Sequence, residues 1–270
     1  MPISEINGCR IWYELNGTGD YLIQIGGAVS GHEGYAAVTE AMAQHFTVID
    51  YDHRGYGLSD RPHQRYSMAV WADDMVALLD TLGVEQAHVH GGSMGGFIAV
   101  YFAVKYPARV KRLVIGGGAA RCDQMARMHF SLWKSIARAY GIDSDELATE
   151  LCTKAFSRRY LDEQGSTLVR EMREVTARNA SLEVFCSACD AMIETDVRDQ
   201  LGNISAPTLI MVGDEDCLTP LNQGPGGAGA QTMHDLIPHS ELCVLPRCGH
   251  GNLVERPRES IDAILAFLLR

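Results

Sequence analysis

The sequence predicts an α/β fold: a mostly parallel sheet of eight strands flanked by helices, with a helical segment inserted late in the sheet. Three observations carry that expectation. Apolar strand-like runs alternate with helix-like segments over residues 21–116 and again over 206–269, the pattern of parallel strands buried on both faces and joined by crossover helices. Between them, residues 119–200 show helical periodicity and no strand signal. A Gly-x-Ser-x-Gly run, Gly91 to Gly95, stands where a strand gives way to a buried helix.

Residues 3–16 alternate apolar and polar around Asn7-Gly8, a hairpin signal. Tyr21 to Ile25 is an apolar strand ending in Gly26-Gly27-Ala28-Val29-Ser30-Gly31. A helix is expected over about 34–44, a strand over 46–51, and a turn-rich loop from Asp52 to Pro62. Ser67 can cap a helix carrying Trp71, Met75, Leu78, Leu79 and Leu82, with Gly83 at its C-terminal end. Ala87-His88-Val89 reads as a strand end, Phe97 to Val104 as a buried helix, and Val110 to Gly116 as the next strand.

Four amphipathic sets fill the insertion. Met125, Met128, Phe130, Trp133, Ile136 and Tyr140 form the first, and Leu147, Leu151, Ala155 and Phe156 the second. Leu168, Met172 and Val175 form the third, and Val184, Phe185, Ala188, Met192 and Ile193 the fourth. Strands return at Ala206 to Val212 and Glu241 to Pro246, and a closing helix covers about 257–269. The glycine-rich loop at 224–229 lacks the Lys-Ser/Thr of a phosphate loop and does not directly follow a strand.

A chain of 270 residues can build one large core. That core is expected from 1–118 and 201–270, with 119–200 as the insertion. A hydrophobic content of 46% and a charged content of 21% are those of a soluble globular protein. The net charge of −11 argues against a nucleic-acid or membrane partner. The expected partner is a small-molecule substrate, and a homo-oligomer is left open. No charged leader precedes an apolar stretch at the start, and no run can span a membrane, so a cytoplasmic location is the expectation. The eight cysteines are expected to be reduced and mostly buried. Cys186-Ser187-Ala188-Cys189 lacks the second pair of a zinc site, and neither a metal nor a cofactor is expected.

The chemistry is expected at strand ends. A serine on a sharp strand-to-helix turn has a strained backbone, and glycine at 91 and 95 removes collisions beside it. Its hydroxyl then stands above a helix N-terminus, where the Met94 N–H can stabilise developing negative charge. Serine needs an imidazole to take its proton, and the imidazole needs an acid to fix its tautomer. His250, between two glycines after the last strand, supplies the base; Asp214, Glu215 and Asp216, after the strand before it, supply three possible acids. In a parallel sheet such C-terminal strand ends share one edge.

These motifs resemble those of the α/β-hydrolase superfamily over essentially the whole chain. The resemblance rests on the serine turn, on Gly213-x-x-Asp216-x-x-x-Pro220, and on Gly249-His250 followed by Glu255 and Pro257. Asp52-His53-Arg54-Gly55-Tyr56-Gly57-Leu58-Ser59 matches a further family loop. It implies a triad of Ser93, His250 and Asp216. It also implies oxyanion donors at the backbone N–H groups of Ala28 and Met94, with Gly27 as the alternative to Ala28. Residues 119–200 correspond to a helical cap that sets substrate choice, and Trp133, Phe130, Met192 and Leu218 are the expected pocket residues. Among Arg121, Arg127, Arg158, Arg159, Arg170, Arg173 and Arg178, one or two could bind a substrate carboxylate.

The implied activity is a serine hydrolase for a small carboxylic ester or lactone, similar to 3-oxoadipate enol-lactonases. Carbon–carbon bond or amide hydrolysis in aromatic or heteroaromatic catabolism is the alternative. Cofactor-free oxygenation and non-catalytic ligand reception are the readings from other classes.

Overall fold

The computed structural model describes residues 2–270. One sheet contains β1 (Ile3–Ile6), β2 (Cys9–Asn16), β3 (Tyr21–Ile25), β4 (Thr47–Tyr51), β5 (Ala87–Gly92), β6 (Val110–Gly116), β7 (Thr208–Gly213) and β8 (Ser240–Leu245). Their spatial order is β1-β2-β4-β3-β5-β6-β7-β8. The β1–β2 and β2–β4 pairs are antiparallel and the other five are parallel. Asn7 and Gly8 both take positive φ, 49° and 70°, as a two-residue hairpin turn of matching twist requires.

The helices are α1 (Ala36–Met42), α2 (Met68–Thr81), α3 (Met94–Lys105), α4 (Gln124–Tyr140), α5 (Asp145–Ala155), α6 (Arg158–Asn179), α7 (Leu182–Glu194), α8 (Ala230–Leu236), α9 (Asn252–Glu255) and α10 (Pro257–Leu268). The two-residue period of the strands feeds two cores. Ile23, Ile25, Ile49, Val89, Leu113, Ile115, Ile210 and Val212 join the apolar faces of α2 and α3. Leu22, Val48, Val114, Leu209 and Met211 join α1 and α10. Burial on both faces is why these strands read as unbroken apolar runs.

Several element ends lie one to three residues from expectation, and two of these shifts bear on the loops beside Ser93. The strand before Ser93 continues through Gly92, because Gly91 and Gly92 still pair with Ile115 and Gly116 of β6. Glycine weakens the local strand signal, but the neighbouring strand holds the register. The first helix begins at Ala36 after a 3₁₀ turn over His32–Tyr35, where Asp52 pins the His32 N–H at 2.7 Å.

All four amphipathic sets of the insertion form helices, α4 to α7, between β6 and β7. Asp123, Ser144, Ser157 and Ser181 cap them by accepting from a backbone N–H of the first turn. Arg121 bridges Asp196 and Ala228, so the chain leaves and rejoins the sheet layer at one place. All eight cysteines are free; Cys217 is exposed, Cys243 is half-buried and the rest are buried. Among the described residues no helix is long and apolar enough to cross a membrane.

Candidate active site

Ser93 sits between β5 and α3 with φ 55° and ψ −123°, a conformation that costs a residue with a side chain about 1–3 kcal/mol. The flanking glycines are sterically required. A Cβ on Gly91 would lie 2.1 Å from the Gly95 carbonyl oxygen, and one on Gly95 would lie 2.0 Å from that of Ile25. The turn is tied to the sheet by the Ser93 N–H, which donates to the Gly116 carbonyl at 2.7 Å.

Three strand ends bring the serine, histidine and aspartate together. His250 Nε2 lies 2.9 Å from Ser93 Oγ, and His250 Nδ1 lies 2.9 Å from Asp216 Oδ2. Asp216 Oδ1 accepts the N–H groups of Leu218 at 2.8 Å and Thr219 at 2.9 Å. Burial opposes ionisation of this carboxyl, but the facing His250, its hydrogen bond and the two backbone donors outweigh burial and hold Asp216 below the usual carboxylate range. An ionised Asp216 fixes the proton of His250 on Nδ1, which leaves Nε2 free to accept from the serine hydroxyl. Of the three possible acids, Asp216 faces the imidazole, whereas Asp214 Oδ1 accepts the Cys248 N–H at 3.2 Å.

Two further residues frame the imidazole. The Thr219 hydroxyl lies 2.9 Å from the Gly117 carbonyl oxygen, 3.0 Å from Asp216 Oδ2 and 3.1 Å from His250 Nδ1. Gly117 has φ +59°, and a Cβ there would stand 2.8 Å from His250 Cε1. Sequence reading missed both; the only available signals were the Gly116-Gly117-Gly118 run and a threonine three residues after the acid.

The loop after β3 lies beside the serine. Gly27, Ala28 and Ser93 line one cavity, and a Cβ on Gly27 would lie 3.4 Å from Ser93 Cβ. Neither the Ala28 nor the Met94 N–H has a backbone acceptor among the described residues, and Met94 opens α3, whose N-terminal dipole favours negative charge. The fully buried Asp52 anchors this loop: it accepts from the His32 N–H and, at 2.8 Å, from the Leu58 N–H. His32, Glu33 and Asp52 are the one cluster of metal-ligating residue types among the described residues; its Asp52 is already engaged in this brace.

The cavity has a volume of about 340 Å³ and is mostly apolar. The insertion supplies Trp133, Leu151, Phe156, Leu168, Met172 and Val175 to its wall, and the loop after β7 supplies Leu218. Phe130 and Met192 correct the sequence-based expectation: both are buried in the main core and neither lines the cavity. Each lies on an apolar helix face that packs inward. The arginines need a second correction. None of the seven lines the cavity; Arg121 pairs with Asp196, Arg159 with Glu163, Arg173 with Asp145 and Arg178 with Glu33.

Comparison with known proteins identifies the family of the fold that carries this site. Residues 22–257 match the family model of the alpha/beta hydrolase fold. A protein assigned as the carbamate hydrolase RutD of Azorhizobium caulinodans is 31% identical over 220 residues, 82% of each chain. The 3-oxoadipate enol-lactonase 2 of Acinetobacter baylyi is 31% identical over 228 residues, 83% of this chain and 79% of that one. A thermophilic esterase from Thermogutta terrifontis superposes with a TM-score of 0.86 at 27% identity, over 99% of this chain and 98% of the other. The chain belongs to the alpha/beta hydrolase fold family.

Proposed function

We propose that this protein is a serine hydrolase that cleaves a small carboxylic ester or lactone through an acyl-enzyme. The observation that carries the reading is the continuous relay from Asp216 to His250 to Ser93, with both contacts at 2.9 Å. His250 Nε2 takes the hydroxyl proton as Ser93 Oγ attacks the carbonyl carbon. The carbonyl oxygen becomes an oxyanion facing the N–H groups of Ala28 and Met94. The tetrahedral intermediate collapses, His250 returns the proton to the leaving oxygen, and the acyl group stays on Ser93. Water, deprotonated by the same imidazole, then releases the acid. The buried Asp216 carboxylate stabilises the imidazolium in both halves.

The likeness to a carbamate hydrolase favours a second reading, attack of the same serine on a carbamate. A panel of short acyl esters, lactones and carbamates separates the two.

The decisive test combines labelling with substitution. A fluorophosphonate probe is expected to label Ser93, and Ser93→Ala and His250→Ala are each expected to lower kcat/KM by about a thousandfold or more. Asp216→Asn is expected to lose a comparable factor. An unlabelled Ser93 with no turnover of the panel overturns the enzyme. Activity surviving in Ser93→Ala transfers the chemistry to the His250–Asp216 pair and overturns the acyl-enzyme.

A further inference from the structure

One apolar stripe of the insertion contains a charge. Leu168, Glu171, Met172 and Val175 follow one another at i, i+3, i+4 and i+7 on α6, and all four line the cavity above Ser93. Three are apolar. Glu171 is a carboxylate on that same face, on the solvent-exposed part of the wall.

No cation on the wall offsets it. Among the described residues, no arginine or lysine lines the cavity. Three arginines of α6 are engaged elsewhere, Arg159 with Glu163, Arg173 with Asp145 and Arg178 with Glu33. The electropositive features that do face the cavity are the N-terminus of α3 and the N–H groups beside Ser93, and these are directed at the reacting carbonyl oxygen. The rest of the wall is mostly apolar, with Ser30, Tyr35, Asn252 and the triad as its polar groups, so a second negative charge entering with the substrate would meet Glu171 and no cation to offset it. The net charge of −11 adds repulsion at longer range.

Building on the hydrolase reading above, we propose that Glu171 makes this site selective by charge: it accepts acyl chains that are uncharged at the end remote from the scissile carbonyl and rejects those ending in a carboxylate. Glu171 is thus a specificity-determining residue, placed to face the distal part of the acyl chain. The Ser93 machinery itself is indifferent to that end of the substrate.

The test compares two esters of equal acyl length, 4-nitrophenyl hexanoate and mono-4-nitrophenyl adipate, on one preparation of the full chain at neutral pH, where the adipate end is ionised. The ratio of the two kcat/KM values does not depend on how much of a variant is folded. Wild type is expected to favour the hexanoate by about tenfold. Glu171→Gln is expected to narrow the ratio, and Glu171→Lys to narrow it by about tenfold or more, less so at high salt. Equal turnover of the two esters by wild type, or preference for the adipate, overturns the proposal and leaves the hydrolase intact. A neutral preference that is the same in wild type and Glu171→Lys removes the role of Glu171. Failure to hydrolyse either ester, with Ser93 unlabelled by fluorophosphonate, overturns the hydrolase reading itself and this proposal with it.

Discussion

Gly117 does for His250 what Gly91 and Gly95 do for Ser93: it keeps space open where a side chain would collide. A methyl group there would stand 2.8 Å from Cε1 and 3.0 Å from Nδ1 of a ring already held by Ser93 and Asp216. The positive φ of 59° adds roughly 1 kcal/mol of strain for alanine. Gly117→Ala is therefore expected to push the imidazole off the serine and lower kcat about a hundredfold, the usual scale for a displacement near 1 Å. KM should change much less, and far-UV circular dichroism should match wild type. A variant with wild-type kcat would show that the ring shifts without consequence. At this scale the relay was legible, because the serine, acid and base each follow a strand and each has a glycine nearby: Gly91 and Gly95, Gly213, and Gly249. Gly117 and Thr219 were not. A turn glycine and a lone hydroxyl have no direction until the sheet fixes what they face.

Between elements, one carboxylate joins the histidine loop to the insertion. Glu255 of α9 accepts the Gly249 N–H at 2.9 Å, the Ser157 N–H at 2.8 Å and the Ser157 hydroxyl at 2.5 Å. The Gly251 N–H donates to the Ala155 carbonyl at 2.7 Å beside it. The junction of α5 and α6 is thereby clamped against the residues on both sides of His250. Glu255→Ala leaves two buried N–H groups without acceptors and is expected to cost about 2–4 kcal/mol, read from urea unfolding. Ser157→Ala keeps both N–H contacts and is expected to lose only about 1–2 kcal/mol through its cap and hydroxyl. Equal losses would remove the clamp from this account. The four inserted helices were legible from spacing alone, but their docking was not. Phe130 and Met192 lie on faces as apolar as that of Leu168 and Met172, yet the first pair packs into the core while the second lines the cavity. Periodicity identifies a buried face without saying which neighbour buries it.

The whole molecule folds around a sheet covered on both sides, and that architecture buries histidines with no charged partner. His53 is enclosed by Tyr51, Tyr56 and Trp71, and burial pushes its pKa down from 6.5 to about 3. His90 lies edge-on to Tyr35 beside Gln24, and burial pushes it down to about 4. Both stay neutral in the native state while the unfolded chain begins to protonate them near its ordinary value of 6.5. Because the folded values are depressed, the stability these groups contribute is fully present above pH 6.5. It is lost as pH falls toward about 4 for His90 and about 3 for His53. Asp216 is also depressed, from 3.8, so its contribution is lost only below that value. The acid limb of stability should therefore begin well above the carboxylate range. Each buried histidine steepens it by about 1.4 kcal/mol per pH unit once the unfolded form is protonated. Urea midpoints measured between pH 7 and 4.5 should fall steadily. His53→Gln should reduce that slope by about one proton whatever it does to stability at pH 7. An unchanged slope would mean that His53 takes up its proton without unfolding, which the closed aromatic cage around it opposes.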